Sequence, residues 1–432
     1  MAQQDKLERT HIKEAFEKKA GTKVRLAGWV HDTRALGKVR FLVLRDITGR
    51  IQTVAFKGET PEEAFEKVSK INRESVVMIE GVVKDSKQAP GGKEILIENM
   101  EVISVAEQPL PIDVSDFSKT ELPKRLDYRF LDLHRERIQA IFKIQSTISM
   151  SFREYFVNKG HLEFQPPSII GTSSEGGTEL FTVQYFEKKA YLAQSPQLYK
   201  QMFACSMGKC VTITPVWRAE KHNTTRHLNE SRQMDIEIPF ASQMEVMKEL
   251  ELAVRYIVEK VLEKNKKEVD VLGLKLKVPD AHYLSYDEIV KMFNLKYGED
   301  LSPDDEKKIC AKFKDDIVFV HSWPTNLRGF YIMRKNADPE AKLTEGFDAL
   351  YGGIEISSGG QRIHIPELLI ERIKAKKLNP KNFKDYIDSF RFGAPPHAGW
   401  SIGLERITQI ICGLDNIKEA TMFPRDRERL TP

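Results

Sequence analysis

The sequence predicts an α+β protein in which a small β-barrel precedes a larger, mainly antiparallel sheet flanked by helices. Between Lys23 and Ser104 five β-branched, partly alternating runs appear, with one helical segment after the third, which is the strand order of an OB barrel. Beyond residue 136, long helical patterns with N-cap signals are interspersed with short strand runs. A chain of 432 residues, 41% hydrophobic and 30% charged, has core enough for two or three ordinary globular domains.

The barrel runs are KVRLAGWVH, VRFLVLRD, RIQTVAF, ESVVMIEGVVKD and KEILIENMEVIS. TPEEAFEKVSKI between the third and fourth reads as a helix, with Thr60 as N-cap, Pro61 at its first position and Glu63 closing a capping box. Such barrels bind single-stranded nucleic acid by stacking bases on aromatics in a basic groove. Phe41 offers a stacking surface unless it is core, Gln52 a base-edge contact, and Arg34 a phosphate contact. Ser86–Glu94 is a loop rich in turn formers.

Residues 106–135 lose the alternation and carry Pro109, Pro111 and Pro123, as a hinge or packed linker would. The expected domains are therefore 1–105, a linker over 106–135, and 136–432. A long amphipathic helix spans Glu136–Asn158 and stops at Lys159-Gly160; Pro166-Pro167 then enforces extended chain. Ser173–Gly177 reads as a glycine-hinged lid. Thr214–Glu230 reads as strand, charged loop and strand, with Arg218, Glu220, Arg226 and His227 either aimed into one space or simply solvated. The stretch 251–330 looks structural, with Ser285 and Ser302 as N-caps, and FYIMRK, 330–335, reads as a strand.

Two segments near the end carry the chemistry, GGIEISSGGQRIH (352–364) and GAPPHAGWSIGLER (393–406). Glu355 and Ser358 can offer oxygens to one Mg²⁺, Arg362 a planar cation to a carboxylate, and Arg406 a cation to phosphate. Each has a plainer reading: a solvated strand residue for Glu355, a turn for Gly359-Gly360, a surface ion pair for Arg406. Their conjunction favours a metal, carboxylate and phosphate site.

The net charge of +4 neither requires nor excludes a nucleic-acid partner. Cys205, Cys210, Cys310 and Cys412 form no CxxC pair, so neither a zinc site nor a disulfide framework is expected. With no apolar run of about 18 residues and no signal-peptide core, the expectation is a cytoplasmic protein without a membrane partner.

These segments together resemble the class II aminoacyl-tRNA synthetases of the aspartate, asparagine and lysine subgroup, and most closely their archaeal-type aspartate members. The resemblance covers almost the whole chain. GHLEFQPPSII is similar to motif 1, VWRAE through RHLNE to motif 2, and GWSIGLER to motif 3. It implies a six-stranded antiparallel sheet, a homodimer formed around motif 1, and a two-step reaction. L-Aspartate and ATP give aspartyl-adenylate, and the aspartyl group then passes to tRNA(Asp).

By resemblance, the aspartate site comprises Glu175, Gln197, Leu198, Tyr199, Lys200, Arg218, Ser358 and Arg362. Glu175 and Gln197 hold the amino side, while Lys200 and Arg362 clamp the side-chain carboxylate and select it over an amide. The ATP site comprises Arg218, Ala219, Glu220, Arg226, His227, Leu228, Glu355, Gly403, Leu404, Glu405 and Arg406. Arg218 bridges the reacting carboxylate and α-phosphate, Arg406 meets the γ-phosphate, and Glu355 with Ser358 holds Mg²⁺. Arg34, Phe41 and Gln52 would meet the anticodon. His31 and Pro90 resemble the relaxed members, which also charge tRNA(Asn); a strictly discriminating enzyme and an asparaginyl enzyme are the competing readings. Two positions depart from the family: Ser231-Arg232-Gln233 stands where an adenine-stacking aromatic is common, leaving His227 and Arg406 as candidates, and Ser401 replaces a glycine of motif 3.

Overall fold

The computed structural model describes residues 8–115, 117–172, 179–314 and 316–432. The chain divides into two compact units, 1–111 and 112–432.

The first unit is a closed barrel of β1 (Lys23–Leu36), β2 (Val39–Arg45), β3 (Arg50–Phe56), β4 (Val76–Asp85) and β5 (Lys93–Ser104), in the order β1-β2-β3-β5-β4. Alternation in β1 and β4 sends Val24, Leu26 and Val30, and Val77 and Ile79, inward. Gly28 is required for closure, because a Cβ there would lie 2.2 Å from the carbonyl oxygen of Arg45. The register of β1 against β2 slips between Val30 and Asp32, so His31 is the bulge residue.

The helix after β3 spans Glu62–Lys70, but its expected cap is absent. The Thr60 hydroxyl instead accepts the Phe56 N–H at 3.0 Å, tying off the end of β3, and Pro61 takes the N-cap position without a side-chain bond. A short N-terminal helix, Ile12–Glu17, buries Ile12 and Ala15 against the barrel and was not anticipated.

In the second unit, Leu122–Asp127 and Arg129–Asp132 are short helices. Buried Arg129 donates to the carbonyls of Glu419, Thr421 and Met422. The helix Glu136–Asn158 has the expected bounds. The remaining strands among the described residues are β6 (Leu162–Glu163), β7 (Ile169–Ile170), β8 (Thr182–Tyr185), β9 (Lys188–Leu192), β10 (Cys210–Trp217), β11 (Glu230–Pro239), β12 (Ala281–Ser285), β13 (Ile317–His321), β14 (Gly346–Tyr351), β15 (Ile354–Gln361) and β16 (His397–Gly403). Eight of them form one sheet, β12-β13-β14-β15-β16-β11-β10-β6, and β7-β9-β8 form a small second one. The implied six antiparallel strands are its centre, β13 to β10, while β12 and β6 extend it by parallel pairing at either edge.

The helices Glu136–Asn158 and Gln243–Lys264 pack with the sheet, enclosing Phe152, Phe156, Val254 and Ile257 with Ile236 and Trp400. FYIMRK is not a strand. Met333 N–H donates to Gln361 O while Glu345 N–H donates to Met333 O, so the segment crosses between two partners, and only isolated bridges form at Ile332 and Arg334. Ser285 and Ser302 cap their helices with full capping boxes, as expected, and Ser242 does the same for Gln243–Lys264. No helix among the described residues is long and apolar enough to cross a membrane.

Candidate active site

Strand alternation builds the site. On β11, Met234 and Ile236 enter the core while Gln233 and Asp235 line a cavity; on β16, Trp400 and Ile402 are core while Ser401 and Gly403 line it. The cavity holds about 350 Å³. Glu355 and Ser358 also line it, although residues three apart on a regular strand face opposite ways. The pairing of β14 with β15 resolves this: Ser357 opposes Ala349 and Glu355 opposes Leu350, with Ile356 bulged between them. The extra residue returns Glu355 to the face of Ser358.

The cavity gathers Gln197, Arg218, Glu220, Arg226, His227, Leu228, Glu355, Ser358, Arg362, Gly403, Glu405 and Arg406 from the predicted set. Leu198 and Leu404 are core side chains, and Tyr199, Lys200 and Ala219 do not line the space. Glu175 and the lid segment Ser173–Gly177 lie outside the described residues. Sequence reasoning missed Asp235, Arg328 and Tyr331 on the wall, and also Asp348, which opposes Ser358 across the β14–β15 pair. The alternation of GFDALY against EISS was the available signal for Asp348.

One end of the cavity is a buried ionic network. Arg362 forks onto Glu237, Nε to Oε1 at 2.9 Å and Nη2 to Oε2 at 3.2 Å. Lys200 Nζ bonds Asp235 at 2.8 Å and lies 3.6 Å from Glu237. The two cations thus converge as expected, but they arrive already paired with protein carboxylates, and Lys200 acts from beneath rather than on the cavity wall. Burial opposes the Glu237 charge, yet Arg362 and Lys200 outweigh it and hold the carboxyl below its usual range. Ser401, expected to be a minor steric change, donates to Asp235 Oδ2 at 3.1 Å and so adds a bond to this network.

Away from this network the cavity is mixed in charge. Arg406 Nη1 donates to the carbonyl of Glu355 at 2.8 Å, so it is not a surface ion pair. Arg218 is held through its backbone: its N–H donates to Asn229 O at 3.0 Å, and Asn229 Nδ2 returns to Arg218 O at 2.7 Å, closing the neck of the loop. Burial, reinforced by the charge of Asp348, pushes the Glu355 carboxyl up to about 7 against the pull of Arg406 and Arg328. Burial likewise pushes Glu405 up to about 7, although it accepts the Arg232 N–H.

Of the barrel residues, Phe41 lies outside the core cluster, opposite Arg34, whose guanidinium sits 5.6 Å from the ring centroid. Gln52 is buried, with its amide donated to Glu94 at 2.8 Å. Pro90 is exposed in a 3₁₀ turn, Pro90–Gly92. His31 is half-buried, its ring 3.4 Å from Arg45 Nη1, and burial with Arg50 and Arg45 holds its pKa down.

Residues 121–427 match the family described as tRNA synthetases class II (D, K and N), and 24–103 match the OB-fold nucleic acid binding domain. The chain belongs to the class II tRNA synthetases. It is therefore a ligase that forms aminoacyl-tRNA, and ATP use follows from the family. The synthetase is 43% identical over 441 residues to aspartate–tRNA(Asp/Asn) ligase of Methanocaldococcus jannaschii, covering all of both chains. It is 42% identical to aspartate–tRNA(Asp) ligase of Pyrococcus abyssi over 98% of this chain and all of the relative. Among solved structures it is similar to asparaginyl-tRNA synthetase of Pyrococcus horikoshii complexed with asparaginyl-adenylate (TM-score 0.94, 36% identity, 99% of this chain and 100% of that one). A putative aspartyl-tRNA synthetase of Leishmania major is also similar (TM-score 0.90, 30% identity, 100% and 96%).

Proposed function

We propose that this synthetase activates L-aspartate with ATP and transfers the aspartyl group to tRNA(Asp) and also to tRNA(Asn), acting as a cytoplasmic homodimer. The observation that carries the amino-acid choice is Arg362. Its Nε and Nη2 are committed to Glu237, and Nη1 belongs to the same planar cation on the cavity wall. A substrate carboxylate can accept from that edge, whereas an amide offers it only one suitable oxygen and turns its own NH₂ toward a donor. Lys200 supports this from beneath by fixing Asp235 and flanking Glu237.

Gln197, with Glu175, would hold the amino side of aspartate. Arg218 would draw together the reacting carboxylate and the α-phosphate, and Arg406 would meet the γ-phosphate, so positioning and charge neutralisation supply most of the rate. The residues fit Mg²⁺: Glu355 is a hard oxygen donor raised by burial beside a second carboxylate, Asp348, a repulsion that a cation relieves. Glu355 and Ser358, with substrate phosphates, would hold it, since Mg²⁺ commonly takes one or two carboxylates plus phosphate oxygens. Its contribution when bound is to neutralise phosphate charge.

At the barrel, Arg34 and Phe41 form a basic, aromatic surface suited to an anticodon base; Gln52 would have to exchange its Glu94 bond to read one. His31 and Pro90 are the positions proposed to relax the choice between the two tRNAs. The 0.94 TM-score to an asparaginyl enzyme does not favour the asparaginyl reading, because shared fold leaves substrate choice to the site. ATP–pyrophosphate exchange with aspartate and with asparagine, followed by charging of both tRNA transcripts, tests the proposal. Exchange with asparagine as fast as with aspartate removes it, and no aspartyl product on tRNA(Asn) removes its second half.

A further inference from the structure

We propose that Glu306 is a positioning residue for ATP, holding Arg226 and the start of β15 in register at the triphosphate end of the cavity although it lies in none of the three signature segments. The inference rests on the placement of ATP proposed above. Glu306 stands one turn into the helix Pro303–Lys312, which Ser302 caps, in a stretch whose sequence reads as structural support.

The carboxylate is 13% exposed and is paired with Arg226. Its Oε2 accepts Arg226 Nη1 at 3.0 Å, and it shares the wall of one chamber with Glu355. Arg226 Nη2 in turn donates to Gly353 O at 3.2 Å, in the turn entering β15. Arg226, held by Glu306, therefore ties the 218–229 loop to the turn before the strand bearing Glu355 and Ser358. A guanidinium has five N–H donors, and these bonds spend only two. Arg226 is oriented without being silenced, and its remaining donors stay available to phosphate oxygens. A second chamber of about 230 Å³, walled by Arg226, Asp300, Glu306, Asp348, Glu355 and Arg406, adjoins the clasp. Arg226, Glu355 and Arg406 line both spaces, so a displaced Arg226 would leave the triphosphate end open.

The test uses full-length protein and steady-state ATP–pyrophosphate exchange. Glu306→Ala removes the partner that orients Arg226 and should raise KM for ATP about tenfold or more, with KM for aspartate within about twofold. Glu306→Gln keeps an acceptor oxygen but not the charge and should give about a threefold rise. Because the residues act as a unit, Arg226→Ala should lose nearly as much as the double variant with Glu306→Ala. An unchanged KM for ATP, an equal rise for aspartate, or additive losses would each overturn the proposal. If Glu306→Ala fails to fold by circular dichroism, Glu306→Gln and its cycle with Arg226→Ala decide by the same criteria. ATP binding by calorimetry on wild type and Glu306→Gln separates failure of this inference from failure of the proposed amino-acid substrate, because it needs no amino acid.

Discussion

At Arg362 and Glu237 the proposed choice of substrate and the stability of the protein depend on the same fork. Glu237 is fully enclosed, so replacing its principal partner leaves a buried charge with only Lys200 at 3.6 Å. Arg362→Gln is expected to cost about 3–5 kcal/mol of stability and to lower kcat/KM for aspartate at least about a hundredfold, read by denaturant unfolding and pyrophosphate exchange. Unchanged stability would mean that the fork is not what settles Glu237. Glu355 gives a pH prediction. Its folded-state pKa is about 7, above the ordinary 4.5, so the folded protein holds more protons than the unfolded chain between those values, and stability falls as pH rises through that window. Glu355→Gln should therefore gain thermal stability relative to wild type at pH 8 and little at pH 4, while losing metal-dependent exchange. Wild-type affinity for Mn²⁺ or Mg²⁺, measured by calorimetry, should climb as pH passes 7, since the cation displaces a proton. The positions of Glu355 and Ser358 on the cavity wall were legible from a glycine-bearing polar run, and that of Arg406 from the glycine that precedes its helix. Asp235 and Glu237 were not, because they alternate with apolar residues on one strand and meet their partners Lys200 and Arg362 only through the fold.

Among the elements, β15 and β16 show how backbone detail converts spacing into a site. The spacing of Glu355 and Ser358 was legible, but the bulge at Ile356 that brings them to one face was not, since a bulge depends on pairing with β14. Gly399 shows the same limit. In sequence it belongs to a glycine-bearing run suited to ligand approach; in the fold a Cβ there would lie 2.2 Å from Glu237 Oε2 and 2.3 Å from Ile236 O, so the missing side chain makes room for the buried carboxylate. Gly403 is the one beside the cavity, with nothing nearer than Arg406 at 3.7 Å. Gly399→Ala should therefore destabilise by about 1–3 kcal/mol and weaken aspartate use by displacing Glu237, whereas Gly403→Ala should leave stability within about 0.5 kcal/mol. Equal unfolding midpoints for the two variants would contradict this division. The failed strand at FYIMRK has a similar origin: its residues are apolar enough to be buried, but their hydrogen bonds go to two different partners, which no periodicity reports.

On the scale of the whole molecule, the five-strand alternation made the barrel legible, and its order and closure follow the reading. The central sheet was legible chiefly through the family resemblance, because its strands are spaced by long helices and paired out of sequence order. What the architecture adds is independence of function. The barrel has its own core, the cavity is lined wholly by residues of the second unit, and the compact units meet in sequence at residues 111 and 112. Amino-acid activation is therefore expected to need only the second. A chain of residues 112–432 is accordingly expected to retain ATP–pyrophosphate exchange with aspartate within about tenfold of the full chain. Its kcat/KM for charging tRNA should fall at least about a hundredfold, because the aromatic and basic groups of the barrel, worth about 1–3 kcal/mol for each stacked base, are gone. The remaining charging should also lose part of its dependence on salt, since fewer phosphate contacts release fewer counterions. Both rates measured on the same preparation decide the matter: a loss of exchange equal to the loss of charging would show that the barrel supports the active site rather than only the tRNA.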